Sequence, residues 1–386
     1  MPDHADTLPA VNGERLLQDL ASFAEFGGRA DGGVDRVAGS CEDLEAREWL
    51  QGKISEAGLV PRMDEIGNVF GRTPKAEHPR MLTGSHTDTV PAGGRLDGAY
   101  GVIAALEALR SLHEAGHHVA NHVEIVGFWD EEGVRDPSTG GLVGSTYFCE
   151  KEYVRNYQSF LELHIEQGAT LEKAAVPLAV VGGIVGIERF VVEVTGEANH
   201  AGTTAMEDRA DAGHAAATIA SRVRGAAMAC SDRLRMNVGS IEYSPGAPNV
   251  VPGKARLLIE IRDPSDEVLR AAENHIRAVA DEVAAGERCH AAVERASRKP
   301  PVAFDGKVLQ SLRDALDRCG AEYLDTVSYA GHDANVISQR IPTGMLFVPS
   351  RNGVSHAPSE STSDEHLILG CQALLNSLVQ MYSISS

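Results

Sequence analysis

The chain has 386 residues, of which 43% are apolar and 23% charged. That balance excludes a disordered or fibrous protein, and the length suits two domains of ordinary size. Lys and Arg total 35 against 55 for Asp and Glu, a formal charge of −20, and so acidic a surface argues against nucleic-acid and membrane-surface partners. No stretch approaches the ~20 apolar residues of a membrane span. Met1 to Leu20 lacks the basic leader and apolar core of a secretory signal. The cysteines at 41, 149, 230, 289, 319 and 371 are too scattered for a zinc ribbon or redox pair. Reduced thiols and a cytoplasmic location are therefore expected.

Residues 42–57 place Leu44, Trp49, Leu50 and Ile54 at helical spacing, with Gly58 as a stop. Arg80 to Ser85 reads as a strand and Ala99 to His113 as a helix with Val102, Ile103, Leu106, Leu109 and Leu112 on one face. Val123 to Trp129 is a further strand, and Pro177 to Ile187, the longest apolar run, is a buried one. Strand, loop, helix and strand at these lengths predict an α/β sheet with its chemistry where strands end. Beyond residue 187 the order changes to a strand at 190–194, a helix at 210–230, strands at 236–243 and 257–262, a helix at 266–285 and a strand near 289–295. That is the β-α-β-β-α-β order of a ferredoxin-like unit. From residue 303 the earlier style returns and closes with an amphipathic helix, Glu365 to Tyr382. The expected architecture is an α/β protein in which residues 1–187 and 301–386 form a discontinuous domain with a central mixed sheet flanked by helices. Residues 188–300 form the inserted ferredoxin-like domain.

The densest chemical cluster runs from Gly84 to Val90 and on through Asp97 and Gly98. His86 after a strand and Asp97 opening a helix can converge on one point, with Asp88 fixing the His86 ring nitrogen that faces away. The plainer reading makes Asp97 a helix cap and His86 a loop histidine. Asp130, Glu131 and Glu132 follow the next strand. Three adjacent acids repel unless a cation offsets them, in which case one can bind metal while its neighbour handles protons. Otherwise they form a solvated acidic loop. His164, after Phe160 and Leu161, and His356, in Ser355-His356-Ala357-Pro358, are further candidates. Spacing alone gives a metal site and no substrate.

These stretches together resemble the M20-type metal-dependent amidohydrolases, in the branch of N-carbamoyl-L-amino-acid hydrolases, allantoate amidohydrolases and β-ureidopropionases. The matching pieces are Gly84–Val90, Gly94–Gly98, Glu131–Gly133, Leu161–Gly168, Ala198–Thr204, Asn249–Gly253, Ala330–Ala334 and Ser355–Pro358. The resemblance implies two divalent cations, Zn²⁺ or Mn²⁺ with Co²⁺ or Ni²⁺ as further options. His86, Asp97 and His164 would hold one; Asp97, Glu132 and His356 would hold the other. It makes Glu131 the proton shuttle and counts Asp88, behind His86, among the catalytic residues. His200 becomes an oxyanion contact, and Gln167, Asn249, Arg262 and the Gly331 turn with His332 become substrate contacts. For Arg262 the plain alternative is a surface pair with Asp263, and for His332 a structural loop contact.

The resemblance further implies that the insert is a lid and the contact of a homodimer, with open and closed forms. The expected reaction is hydrolysis of a ureido or carbamoyl C–N bond in a carboxylate-bearing small molecule, releasing amine, carbon dioxide and ammonia. An N-acyl-amino-acid or dipeptide hydrolase is the second reading, opposed by His164, where the peptidase branch usually carries an acid. A catalytically silent assembly protein is the third, opposed by Glu131. Tyr329, Ala205 and Val134-Arg135-Asp136-Pro137 depart from the family pattern, and Tyr329 and Asp136 bear on the choice of substrate.

Overall fold

The structure is a computed structural model that describes residues 8–78, 80–135, 137, 140–151 and 153–385. The chain separates into one unit of residues 1–183 and 303–386 and a second of residues 184–302. The expected joints, 187/188 and 300/301, fall within a few residues of these. The first strand of the insert runs Gly186–Thr195 and so begins before the apolar alternation does, because Glu188 takes a fully buried position near Arg295 and Arg298.

The larger unit is built on a nine-stranded mixed sheet. At its centre Arg80–His86 runs parallel to Val123–Phe128 on one side and to Tyr157–Ile165 on the other. Thr343–Val348 continues the parallel set beside Tyr157–Ile165. Val60–Met63 and Val69–Arg72 extend one edge in antiparallel fashion, and Leu178–Ile184 adds antiparallel to Thr343–Val348. Every residue of Arg80–His86, Val123–Phe128 and Thr343–Val348 is buried, as expected for parallel strands covered on both faces. The helix Ala99–Glu114 is buried from Ala99 through Leu112, because the sheet and the helices Gly13–Phe23 and Asp364–Ser385 all pack on it. A helix covered all round cannot show a single apolar face.

The smaller unit is a four-stranded antiparallel sheet in the spatial order His290–Lys299, Gly186–Thr195, Lys254–Asp263, Arg235–Ser244. Helices Ala212–Met228 and Asp266–Gly286 pack on it around Phe190, Val192, Val194, Ile219, Leu257, Ile259, Ile261 and Ile276. Asp211 accepts from the Gly213 and His214 amides and Ser265 from the Val268 amide, so both helices begin at a capping side chain. The strand order, with first and third strands central, is that of the ferredoxin-like unit. No helix among the described residues is long and apolar enough to cross a membrane.

Candidate functional site

Four neighbouring parallel strands end at one edge of the larger sheet, and each delivers a side chain there. His86 is the last residue of its strand and lies in register with Phe128, beyond which come Asp130, Glu131 and Glu132. His164 pairs in register with Phe347, and the chain leaving that strand carries Ser350, Ser355 and His356. The carboxyl ends of parallel strands are where open α/β sheets gather ligands. Asp130, Gln167 and His356 adopt positive φ of 55°, 58° and 56°, left-handed conformations that cost non-glycine residues energy and concentrate at functional sites.

Asp97 is the centre of the cluster. It does not cap the following helix: the cap residue is Gly98, with φ 65°, and the helix starts at Ala99. The carboxylate is instead shared between histidines. Oδ1 lies 3.1 Å from His164 Nε2 and 3.5 Å from His86 Nε2, while Oδ2 lies 3.2 Å from His356 Nε2. His356 Nε2 is also 3.4 Å from Glu132 Oε1. The other nitrogen of each buried imidazole faces a main-chain carbonyl, His86 Nδ1 at 3.1 Å from Asp88 O and His164 Nδ1 at 2.9 Å from Ile165 O. Those contacts orient each Nε2 toward Asp97, the second-layer arrangement typical of metal-binding histidines. Ligand atoms of His86, Asp97 and His164 lie within 4.8 Å of one another, and so do those of Asp97, Glu132 and His356. Two donor sets that share one carboxylate can hold a pair of cations.

The electrostatics fit that charge. Burial lowers the His86 pKa, but Asp88, Asp97 and Glu131 outweigh it and hold the imidazole well above its usual range. Burial raises the Asp97 pKa, yet His164, His356 and His86 hold the carboxyl well below its usual range. Glu131 is held well above, first by burial and then by Asp333, Glu132 and Asp88, against the pull of His86. Glu132 is pushed up to about 7 by burial and by Asp97, against the pull of His86 and His356. His356 rises to about 9, chiefly through Asp97. Buried acids crowded together, as Glu131 and Glu132 are, are relieved by a dication. Gln167 Oε1 is also buried with no hydrogen-bond partner, and mixed imidazole and carboxylate donors suit Zn²⁺ or Mn²⁺.

The Asp88 carboxylate stands 3.6 Å from His86 Nδ1, on the side expected of it, and has a second task. It accepts from the Glu131 and Glu132 amides at 3.0 and 3.2 Å, bracing the turn that points those acids, while its own carbonyl meets His86. Asp130 turns away to pair with Arg135. Gln167 donates from Nε2 to Asp97 Oδ2 at 2.7 Å. His332 is buried, its ring centroid 4.6 Å from that of His164 and its Nε2 2.8 Å from Ser328 Oγ, and Gly331 beside it is exposed. Sequence reasoning missed Glu162, which accepts from Ser85 Oγ and the Ala334 amide, and buried Asp333. Both lie inside the stretches singled out above, so position in a motif was the available signal. It also missed Glu360, two residues past Pro358.

In the smaller unit, His200 is exposed and its Nδ1 accepts from the Gly202 and Thr203 amides at 3.0 and 3.1 Å. The short strands Asn199–His200 and Val250–Val251 pair, and the Ala201 amide donates to Asn249 O, so His200 and Asn249 share one corner. Arg262 does not pair with Asp263. Its Nε donates to Glu260 at 2.8 Å, while Asp263 is buried and accepts from the Ser265 amide. Alternation explains this, since residues two apart share a sheet face and adjacent ones do not. Tyr329 is half-buried, and Asp136 lies outside the described residues.

Fold and site together define a two-unit α/β protein with a candidate divalent-cation centre at the ends of its parallel strands. The chain belongs to Peptidase family M20/M25/M40, whose profile matches residues 82–380. It is 35% identical to the allantoate amidohydrolase of Bacillus subtilis (strain 168) over 93% of this chain and 95% of that one. It is 32% identical to the N-carbamoyl-L-amino-acid amidohydrolase of Paenarthrobacter aurescens over 96% of this chain and 98% of the other. Among solved structures, a hydantoinase/carbamoylase family amidase from Burkholderia multivorans superposes with a TM-score of 0.88 at 32% identity, covering 97% of this chain and 98% of that chain.

Proposed function

We propose that the protein hydrolyses the C–N bond of a ureido or carbamoyl group on a carboxylate-bearing small molecule, using two divalent cations. The observation that carries this reading is the division of Asp97, with one oxygen toward His86 and His164 and the other toward His356. His86, Asp97 and His164 would hold one cation, and Asp97, Glu132 and His356 the other. When bound, such a pair acidifies water and polarises the scissile carbonyl. Glu131 takes a proton from the attacking water and delivers it to the departing nitrogen, a task suited to a carboxyl whose pKa burial and acidic neighbours raise. Gln167 orients the ureido group, Asn249 and Arg262 hold the substrate carboxylate, and His200 stabilises developing oxyanion charge. One water consumed per carbamoyl group yields the free amine, carbon dioxide and ammonia.

The similarity to an allantoate amidohydrolase and to a carbamoyl-amino-acid amidohydrolase along nearly the whole chain supports the ureido class. In this reading the insert is a lid and dimer contact. The six cysteines, all free, accord with a reducing compartment such as the cytoplasm. The test is product release from N-carbamoyl amino acids, allantoate and N-acetyl amino acids, with chelator and after metal is restored. Ammonia from the first two substrates, abolished by chelator and recovered with metal, is the expected result. Chelator-insensitive turnover overturns the metal reading. Turnover of N-acetyl amino acids alone overturns the ureido reading in favour of acyl-amino-acid hydrolysis.

A further inference from the structure

We infer that Glu360 is a positioning residue that ties the Asp97 loop to the His356 loop and so sets both donor sets at once; this rests on the metal reading above. Glu360 is 3% exposed, and among the described residues the hydrogen bonds of its carboxylate run to those two loops. Oε1 accepts from the Leu96 amide at 2.9 Å and from the Asp97 amide at 3.1 Å. Oε2 lies 2.8 Å from Ser355 Oγ, and the same hydroxyl lies 2.8 Å from Asp97 Oδ2. Asp97 is thus fixed from behind through its main chain and from the side through its carboxylate, by one residue that is 263 positions away in sequence. Two backbone amides converge on one oxygen of a buried carboxylate while the other oxygen meets the Ser355 hydroxyl, and removing the carboxylate leaves those two amides without an acceptor.

Gly94 supplies an independent mark of the same device. A Cβ there would overlap the Glu360 carboxyl, well inside the ~3.5 Å contact distance of non-bonded heavy atoms. A residue without a side chain is required at Gly94 because the carboxylate of Glu360 occupies that space. The two positions should therefore be epistatic. Gly94→Ala displaces the carboxylate, Glu360→Ala removes it, and the double variant should lose little beyond either single change.

Cobalt titration read by the visible spectrum, with bound metal counted by mass spectrometry, tests this without recourse to turnover. Glu360→Ala should weaken cobalt binding about 10–100-fold, the usual cost of losing a partner that orients a metal ligand. Glu360→Gln should stay within a few-fold of wild type, because its carbonyl oxygen still accepts both amides and Ser355 still donates to Asp97. Ser355→Ala, which removes only the link through the hydroxyl, should weaken binding less than Glu360→Ala and decides the matter if Glu360→Ala fails to fold. Wild-type cobalt affinity in Glu360→Ala and Ser355→Ala overturns the inference. So do equal losses in the Ala and Gln variants, or additive losses in the Gly94/Glu360 double variant. A wild-type protein that takes up no cobalt overturns the metal reading itself, and this inference with it.

Discussion

Replacing Gly98 by alanine should damage the centre without touching any donor atom. Gly98 has φ 65°, where an L-residue costs roughly 1–2 kcal/mol. The added Cβ would also overlap the His86 imidazole, which is 2% exposed and braced by Asp88, so the ring cannot swing into solvent. Forcing a methyl group into packed surroundings costs about 1–3 kcal/mol more. The sum, about 2–5 kcal/mol, is a large share of the stability of an ordinary domain. Urea denaturation of the metal-free protein should show that loss. Mass spectrometry of the metal-loaded protein should show depletion on the side of His86. Gly52→Ala is the control, because no heavy atom lies within 4 Å of its added Cβ and the site is inside the helix Cys41–Glu56; it should gain about 0.5–1 kcal/mol. If Gly98→Ala keeps wild-type stability and full metal content, the account of how His86 is held is wrong.

Glu131→Gln should lower kcat by about 10²–10⁴ while leaving metal content intact; metal loss in that variant would move Glu131 from proton shuttle to ligand. Arg262→Ala should raise KM strongly with both metals retained, and an unchanged KM would remove Arg262 from the substrate site. Metal binding should release protons. His356, raised to about 9, is mostly protonated at neutral pH, and Glu132, raised to about 7, is partly so. Both must deprotonate to bind, so affinity should climb as pH rises through about 7 toward 9, and calorimetry in buffers of different ionisation heat should count the protons. In the metal-free protein the stabilising contribution of His356 is complete below pH 6.5 and lost as pH rises through about 9. A pH-independent affinity would contradict these assignments.

The pattern of strands and helices was legible wherever burial was one-sided or complete. The insert illustrates this, since Gly186–Thr195 alternates buried and exposed residues along most of its length. It failed at Glu188, where a buried charge near two arginines imitates a loop. The acidic run 130–132 shows the same limit at the site. Sequence supplied three adjacent carboxylates, but only the folded turn sends Asp130 to Arg135, braces the Glu131 and Glu132 amides on Asp88 and faces Glu132 toward His356.

Local chemistry and periodicity determined which residue types stand at strand ends, the two-domain α/β pattern and a set of candidate histidines and acids, to which the family resemblance gave their expected roles. Those are properties of neighbours along the chain. Only the tertiary structure decided that Asp97 faces three imidazoles instead of capping a helix, that Arg262 meets Glu260, and that Glu360 lies behind Asp97. These depend on which segments a parallel sheet brings side by side, and such pairings cross up to hundreds of residues, beyond the reach of any local pattern.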